Sequence, residues 1–197
     1  MTDRDAILEA IFAAPADDAP RLVYADWLDE HDYPEQATFV RRQIELFRTP
    51  VTDARWRERA AAVEACWNRF KIELLQSLPH TDVQMVLYAR GLPEEYGGPA
   101  DRFLLDAPNW WPLFPVLKLR LTGWVEQVGL LGQCDYLTRV TELILLGGVV
   151  DPAVARALIG SPVLTNVRRL RIWALGIRRP AARALREHFG DRLEGVS

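Results

Sequence analysis

Apolar residues in the first eighty positions recur every three or four residues, whereas beyond residue 115 they alternate in short runs, so the period of the chain changes part-way along. Thr2 and Asp5 stand as an N-cap and an acidic N3 residue, and Ile7, Leu8, Ile11 and Phe12 then keep helical spacing until Pro15. A second helix is predicted after Asp17-Asp18 and Pro20, with Leu22, Ala25 and Leu28 on one stripe and Tyr24 and Trp27 flanking it. Pro34 suits the first position of a third, in which Ala37, Val40, Ile44 and Phe47 face inward, Arg41, Arg42 and Glu45 face out, and Pro50 closes the run. From Thr52 to about Leu78, the series Trp56, Ala60, Val63, Trp67, Phe70, Leu74 and Leu78 predicts a long amphipathic helix.

The texture then changes. Val83 to Tyr88 is β-branched and apolar, Gly91 and Gly97-Gly98-Pro99 read as breakers, and PADRFLLDAP reads as a short helix ending before Trp110-Trp111. Beyond lies a repeat: the stretches beginning at Val116, Val140 and Val167 share the frame Val-x-x-Leu-x-Leu/Ile, at spacings of 24 and 27 residues. Within each, Leu119 and Leu121, Leu143 and Leu145, or Leu170 and Ile172 point inward from a short strand. The intervening segments carry helical patterns, with Val154, Ala157 and Leu158 in one and Ala181, Ala184, Leu185 and Phe189 in another. A unit of strand, loop, helix and return cannot bury its own apolar face, and stacking of neighbours, with the strands parallel, supplies the core.

The stretch Pro20-Arg21-Leu22-Val23-Tyr24-Ala25-Asp26-Trp27-Leu28, with the later Phe39-Val40-Arg41-Arg42-Gln43, resembles the repeat-companion domain of planctomycete proteins over roughly residues 1–47. Residues 114–193 are similar to leucine-rich repeats of the ribonuclease-inhibitor-like type, in which strand and helix alternate. The asparagine common after the strand of such repeats is missing, since Gly147-Gly148 and Trp173-Ala174-Leu175-Gly176 occupy that place, and the loop hydrogen bonding is expected to differ accordingly. The resemblance implies an α/β chain: a helical repeat-companion module over 1–80, a strand-turn-helix junction over 81–113, and a short leucine-rich-repeat-like solenoid with parallel strands and outer helices over 114–197. In this arrangement the helical module caps the N-terminal end of the solenoid, whose first strand would otherwise be left open. It implies no activity, cofactor or substrate.

Composition sets bounds on this picture. The chain has 197 residues, 49% hydrophobic and 26% charged, which is ordinary for a folded globular protein. The acidic start and the absence of a run of about 20 apolar residues point away from export and membrane insertion, and the expected location is the bacterial cytoplasm. Two cysteines, Cys66 and Cys134, read as buried thiols. The net charge of -3 conceals a split: residues 1–50 hold eleven acids and five basic residues, while 165–197 hold eight arginines and three acids.

Candidate chemistry is sparse. His31, His80 and His188 are isolated, the acids around Asp29-Glu30-His31-Asp32 lack the spacing and glycine of an EF-hand loop, and neither a P-loop nor a GxGxxG occurs. Ser77, Ser161 and Ser197 lack a nucleophile context. No catalytic, metal or cofactor residue is expected. Asp26, in an aromatic helix, is expected to be a partly buried partner of Arg41 or Arg42. The outward strand residues form three columns: Lys118, Glu142 and Arg169; Arg120, Ile144 and Arg171; and Thr122, Leu146 and Trp173. Together they predict a basic face with an apolar, aromatic centre, and Lys118, Arg120, Ile144, Leu146, Arg169, Arg171 and Trp173 are its candidate partner-binding residues. The expected partner is another protein; the acidic N-terminal helices offer an intramolecular cover for the same face. The alternative is nucleic acid, bound through Arg168, Arg169, Arg171, Arg178, Arg179, Arg183 and Arg186.

Overall fold

The computed structural model describes residues 2–77, 85–111 and 114–196. The fold is mixed α/β with a mostly parallel sheet, and the chain divides into two compact units, which are described in turn.

The first unit comprises Met1–His80, Leu87–Glu94 and Pro112–Pro115. Helix α1 (Asp3–Ala13) starts at a capping box in which Thr2 Oγ1 accepts from the Asp5 amide and the Asp5 carboxylate accepts from the Thr2 amide. Helices α2 (Ala19–Glu30) and α3 (Pro34–Phe47) both carry proline in their first turn, where no intrahelical donor is lost. Helix α4 runs Trp56–Ser77, four residues later than the pattern suggested, because Thr52 lies in a turn; Leu78 lies outside the described residues. Leu8, Ile11, Tyr24, Ala25, Leu28, Ala37, Val40 and Ile44 form one core with Leu92, and Phe39, Val63 and Cys66 form a second beside Trp67 and Tyr88. Phe47 departs from its expected place: it is exposed, with the Arg90 guanidinium 4.9 Å above its ring.

Strands β1 (Met85–Ala89) and β2 (Leu92–Pro99) are joined by Arg90 and Gly91 alone. Both have positive φ, 49° and 87°, as a type I′ hairpin turn requires. Glycine is needed at the second position for a further reason, since a Cβ there would lie 2.5 Å from the Val40 backbone. Of the predicted strand, Val83 and Gln84 lie outside the described residues.

The second unit comprises Thr81–Val86, Glu95–Trp111 and Val116–Ser197. Gly97-Gly98-Pro99, expected to break the chain, instead belongs to β2, which pairs in parallel with β3 (Lys118–Thr122). Gly98 permits this because the buried Tyr96, two residues earlier on the same face, brings its hydroxyl to 2.8 Å from where a Cβ would stand. Helix α5 (Ala100–Trp110) continues through Pro108 rather than stopping before the tryptophans. After β3 come helix α6 (Val128–Leu131), β4 (Glu142–Leu146), the two-residue β5 (Val149–Val150), helix α7 (Pro152–Ile159), β6 (Arg169–Trp173), β7 (Gly176–Ile177), helix α8 (Arg179–Phe189) and β8 (Leu193–Glu194).

Strands β2, β3, β4, β6 and β8 are neighbours in that order and pair in parallel, with Tyr96, Leu119, Leu143, Leu170 and Leu193 in one row. Successive members of that row are 23, 24, 27 and 23 residues apart. A 3-10 turn precedes each of the last three strands, at Asp135–Arg139, Pro162–Asn166 and Gly190–Arg192. Leu119, Leu121, Leu143, Leu145, Leu170 and Ile172 are buried, as are Val154, Ala155 and Leu158 of α7 and Ala181, Ala182, Leu185 and Phe189 of α8. The alternation therefore sends the branched apolar side chains to the interior, where β3, β4 and β6 each bury two aliphatics at about 1.5–3 kcal/mol apiece.

Within this second unit, the turns that flank the strands are tied by main-chain groups, as the missing asparagines suggested. Thr141 N donates to Leu117 O at 2.8 Å, Arg168 N to Thr141 O at 2.8 Å, Gly147 N to Trp173 O at 2.8 Å and Leu175 N to Gly148 O at 2.8 Å. Side chains assist, among them Asn166 Nδ2 to Thr138 O at 2.9 Å, Trp124 Nε1 to Gly147 O at 3.2 Å and Thr141 Oγ1 to Leu117 O at 3.2 Å.

Candidate functional site: the outward face of the parallel sheet

The residues between the inward leucines fall into the three expected columns, and the register aligns Lys118 with Glu142 and Arg169, Arg120 with Ile144 and Arg171, and Thr122 with Leu146 and Trp173. Two strands that the sequence reading missed extend these columns. β2 adds Glu95 beside Lys118, Gly97 beside Arg120 and Pro99 beside Thr122, and β8 adds Glu194 beside Arg171.

These additions correct the expected charge. Glu95 receives Lys118 Nζ at 3.0 Å and Arg120 Nη2 at 2.9 Å. Glu142 receives Arg171 Nη1 at 2.9 Å, with Arg169 Nη1 at 3.8 Å. Glu194 receives Arg171 Nε at 2.7 Å and Arg169 Nε at 3.2 Å. Four cations thus meet three carboxylates, and the face is close to balanced rather than strongly basic. The two charges differ in height. The side chains of Glu95 and Glu142 are only 9% and 19% exposed, whereas those of Arg120 and Arg169 are 37% and 52% exposed. Glu95 and Glu142 are thus sunken struts beneath Arg120 and Arg169, whereas Glu194, 45% exposed, stands above Arg171 at 26%.

Ile144 does not take the expected place as an open contact, because it is 4% exposed between Arg120 and Arg171 in its column. Leu146 is half-buried. Trp173, 60% exposed, supplies the accessible apolar surface, with Leu175 also exposed in the loop that follows β6 and Val149 on β5.

The remaining arginines of the nucleic-acid alternative are scattered. Arg183 pairs with Glu187 at 2.7 Å one helical turn on, Arg186 donates to Val196 O at 2.8 Å, and Arg168, Arg178 and Arg179 are exposed outside the strand columns.

Asp26 pairs with Arg41, as expected, at 2.7 Å, and Asp29 joins at 2.6 Å, but the Asp26 side chain is 68% exposed rather than partly buried. Arg42 instead reaches Ala62 O at 3.5 Å. Tyr24 and Trp27 stack with each other and Trp27 stacks on His31, the latter with ring centroids 4.0 Å apart. Cys66 is buried, whereas Cys134 is half-buried. His80 lies outside the described residues.

A second constellation, absent from the sequence reading, sits in the first unit. Arg21 is fully buried and pairs with Glu94 at 2.5 Å, while its Nη2 donates to Pro15 O at 3.3 Å. Arg90, also buried, donates to Pro15 O at 2.7 Å, Ala16 O at 3.2 Å and Glu94 at 2.9 Å, with Asp18 at 3.5 Å. Burial pushes the Glu94 carboxyl above its ordinary value and the Arg21 guanidinium below its own, each opposed by the charge of the other. A signal for Arg21 was available: it lies three, four and seven residues before Tyr24, Ala25 and Leu28, on the buried stripe itself.

Among the described residues no group of three His, Cys, Asp or Glu side chains is placed to hold a metal ion, and no helix is long and apolar enough to cross a membrane. No protein-family model, curated protein or solved structure matches the chain.

Proposed function

We propose that this chain is a non-catalytic interaction module, in which a repeat-companion-like helical unit accompanies a short leucine-rich-repeat-like solenoid and the outward sheet face recognises another protein. The observation that carries the reading is the register. Five parallel strands at near-constant spacing present aligned outward columns, which is the economy of a stacked repeat that builds a surface larger than any one unit could. The composition of that surface supports a protein partner, because Arg and Trp are the side chains that most often anchor such contacts and the charges are nearly balanced. A phosphate-binding surface calls instead for uncompensated cations gathered on one face.

The test is affinity capture from a lysate of the source organism after nuclease treatment, comparing wild type with Arg120→Glu/Arg171→Glu/Trp173→Ala once both are shown to fold. Wild type is expected to retain a defined protein that the variant loses. Equal capture by both removes this face from the account.

A further inference from the structure

The open face has a shape as well as a charge. Lys118 and Arg120 stand on β3, Arg169 and Arg171 on β6, and β4 lies between them. The two cationic ridges are therefore two strand spacings apart, about 9–10 Å. The lane between them is floored by Glu142 and Ile144, 19% and 4% exposed, and by the half-buried Leu146, with the Arg171 guanidinium reaching to Glu142 at 2.9 Å. Along each ridge, the two cations are separated by one pleat repeat, roughly 6.5–7 Å. That is also the separation of alternate side chains in an extended peptide, so carboxylates at every second position of such a peptide meet cations at the same interval.

The cations retain capacity for a ligand. Arg120 engages Glu95 through Nη2, and among the described residues that is its one carboxylate partner. Arg169 and Arg171 present ten guanidinium N–H groups in all against the two carboxylates of Glu142 and Glu194. At the carboxyl end of the lane the chemistry turns apolar, at Leu146 and the exposed Trp173.

Resting on the protein-recognition reading above, we propose that this lane binds an extended acidic peptide segment of a partner protein, its alternate carboxylates held between Lys118–Arg120 and Arg169–Arg171 and a large apolar residue held against Leu146 and Trp173. Glu95, Glu142 and Glu194 are positioning residues in this scheme: they hold the cations in place, lowering the entropy lost when a ligand carboxylate arrives.

The experiment is fluorescence anisotropy on the full chain with three labelled probes. One is a peptide alternating Glu and Thr and ending in Leu-Phe, the second is the same peptide with Gln for Glu, and the third is a single-stranded oligothymidylate of equal charge. The acidic peptide is expected to bind saturably and about tenfold or more tighter than its Gln counterpart. Arg120→Gln/Arg169→Gln, and separately Trp173→Ser, are each expected to weaken it by about tenfold at unchanged melting temperature. The proposal is overturned by equal binding of the Glu and Gln peptides, by binding indifferent to these substitutions, or by oligothymidylate binding as tightly without dependence on Trp173. The broader reading fails separately, since it falls only if lysate capture is also indifferent to the face.

Discussion

Two groups of ion pairs, one in each unit, use the same residue types to different ends. In the first unit Arg21, Arg90, Asp18 and Glu94 are withdrawn from water, and Nε and Nη1 of Arg21 find no partner among the described residues. In the second, Glu95, Glu142 and Glu194 hold four cations at the surface with their heads in solvent. The buried group is costly and therefore selective: desolvation of two charges is offset only when every partner is in place, so the left-handed turn at Arg90-Gly91 has one acceptable seat against α2. The open group is cheap and therefore adaptable, because water can replace any one partner. The first kind of network fixes a fold, and the second tolerates exchange of its partners.

Breaking the buried group is expected to have the largest effect. Arg21→Met leaves Glu94 and Arg90 buried in an incomplete network and should cost about 3–5 kcal/mol in urea unfolding. Arg21→Met/Glu94→Leu should be destabilised by less than the sum of the two single changes, since the pair is lost together. Next comes the turn that the group seats: Gly91→Ala places a Cβ against the Val40 backbone at positive φ and should cost about 1–3 kcal/mol, read in the same assay. Arg120→Gln on the open face should change stability by no more than about 1 kcal/mol, in contrast to Arg90→Gln, which should cost several times as much.

The smallest effect sharpens the comparison through pH. Burial holds the Glu94 pKa above its ordinary value, so its contribution favours the folded state below the unfolded pKa and is lost as pH rises through the folded one. Asp53, exposed and bonded to the Arg55 side chain and amide, is held down from 3.8 to about 2, so its contribution is present above the ordinary carboxylate value and is lost as pH falls through about 2. Melting temperature against pH should therefore respond in opposite directions to Glu94→Gln and Asp53→Asn: the first flattens the loss of stability with rising pH, and the second flattens the loss with falling pH.

Much of this was legible in the chain. The helix starts at Thr2 and Pro34 announced themselves by residue type, and the period-2 alternation around Leu119, Leu143 and Leu170 placed three strands and their outward columns in the register observed. What escaped notice did so for physical reasons. β2 carries Gly97-Gly98-Pro99, residues that weaken an isolated strand, and only its pairing with β3 and the cover of Tyr96 make it one. β8 is two residues long, too short to display a period. Missing both strands meant missing Glu95 and Glu194, and with them the balance of charge on the face. Arg21 was passed over because arginine is ordinarily exposed, although its place on the helix marked it as inward.

Both units expose large apolar side chains, Phe47 and Val51 in the first and Trp173 and Leu175 in the second, and recognition is proposed for the second alone. Hydroxyl-radical footprinting of the chain, free and bound to the protein it captures, tests this most directly. Trp173 is expected to become protected on binding while Phe47 and Val51 react as before. Protection of Phe47 and Val51 with Trp173 unchanged contradicts it and moves the recognition surface to the helical unit.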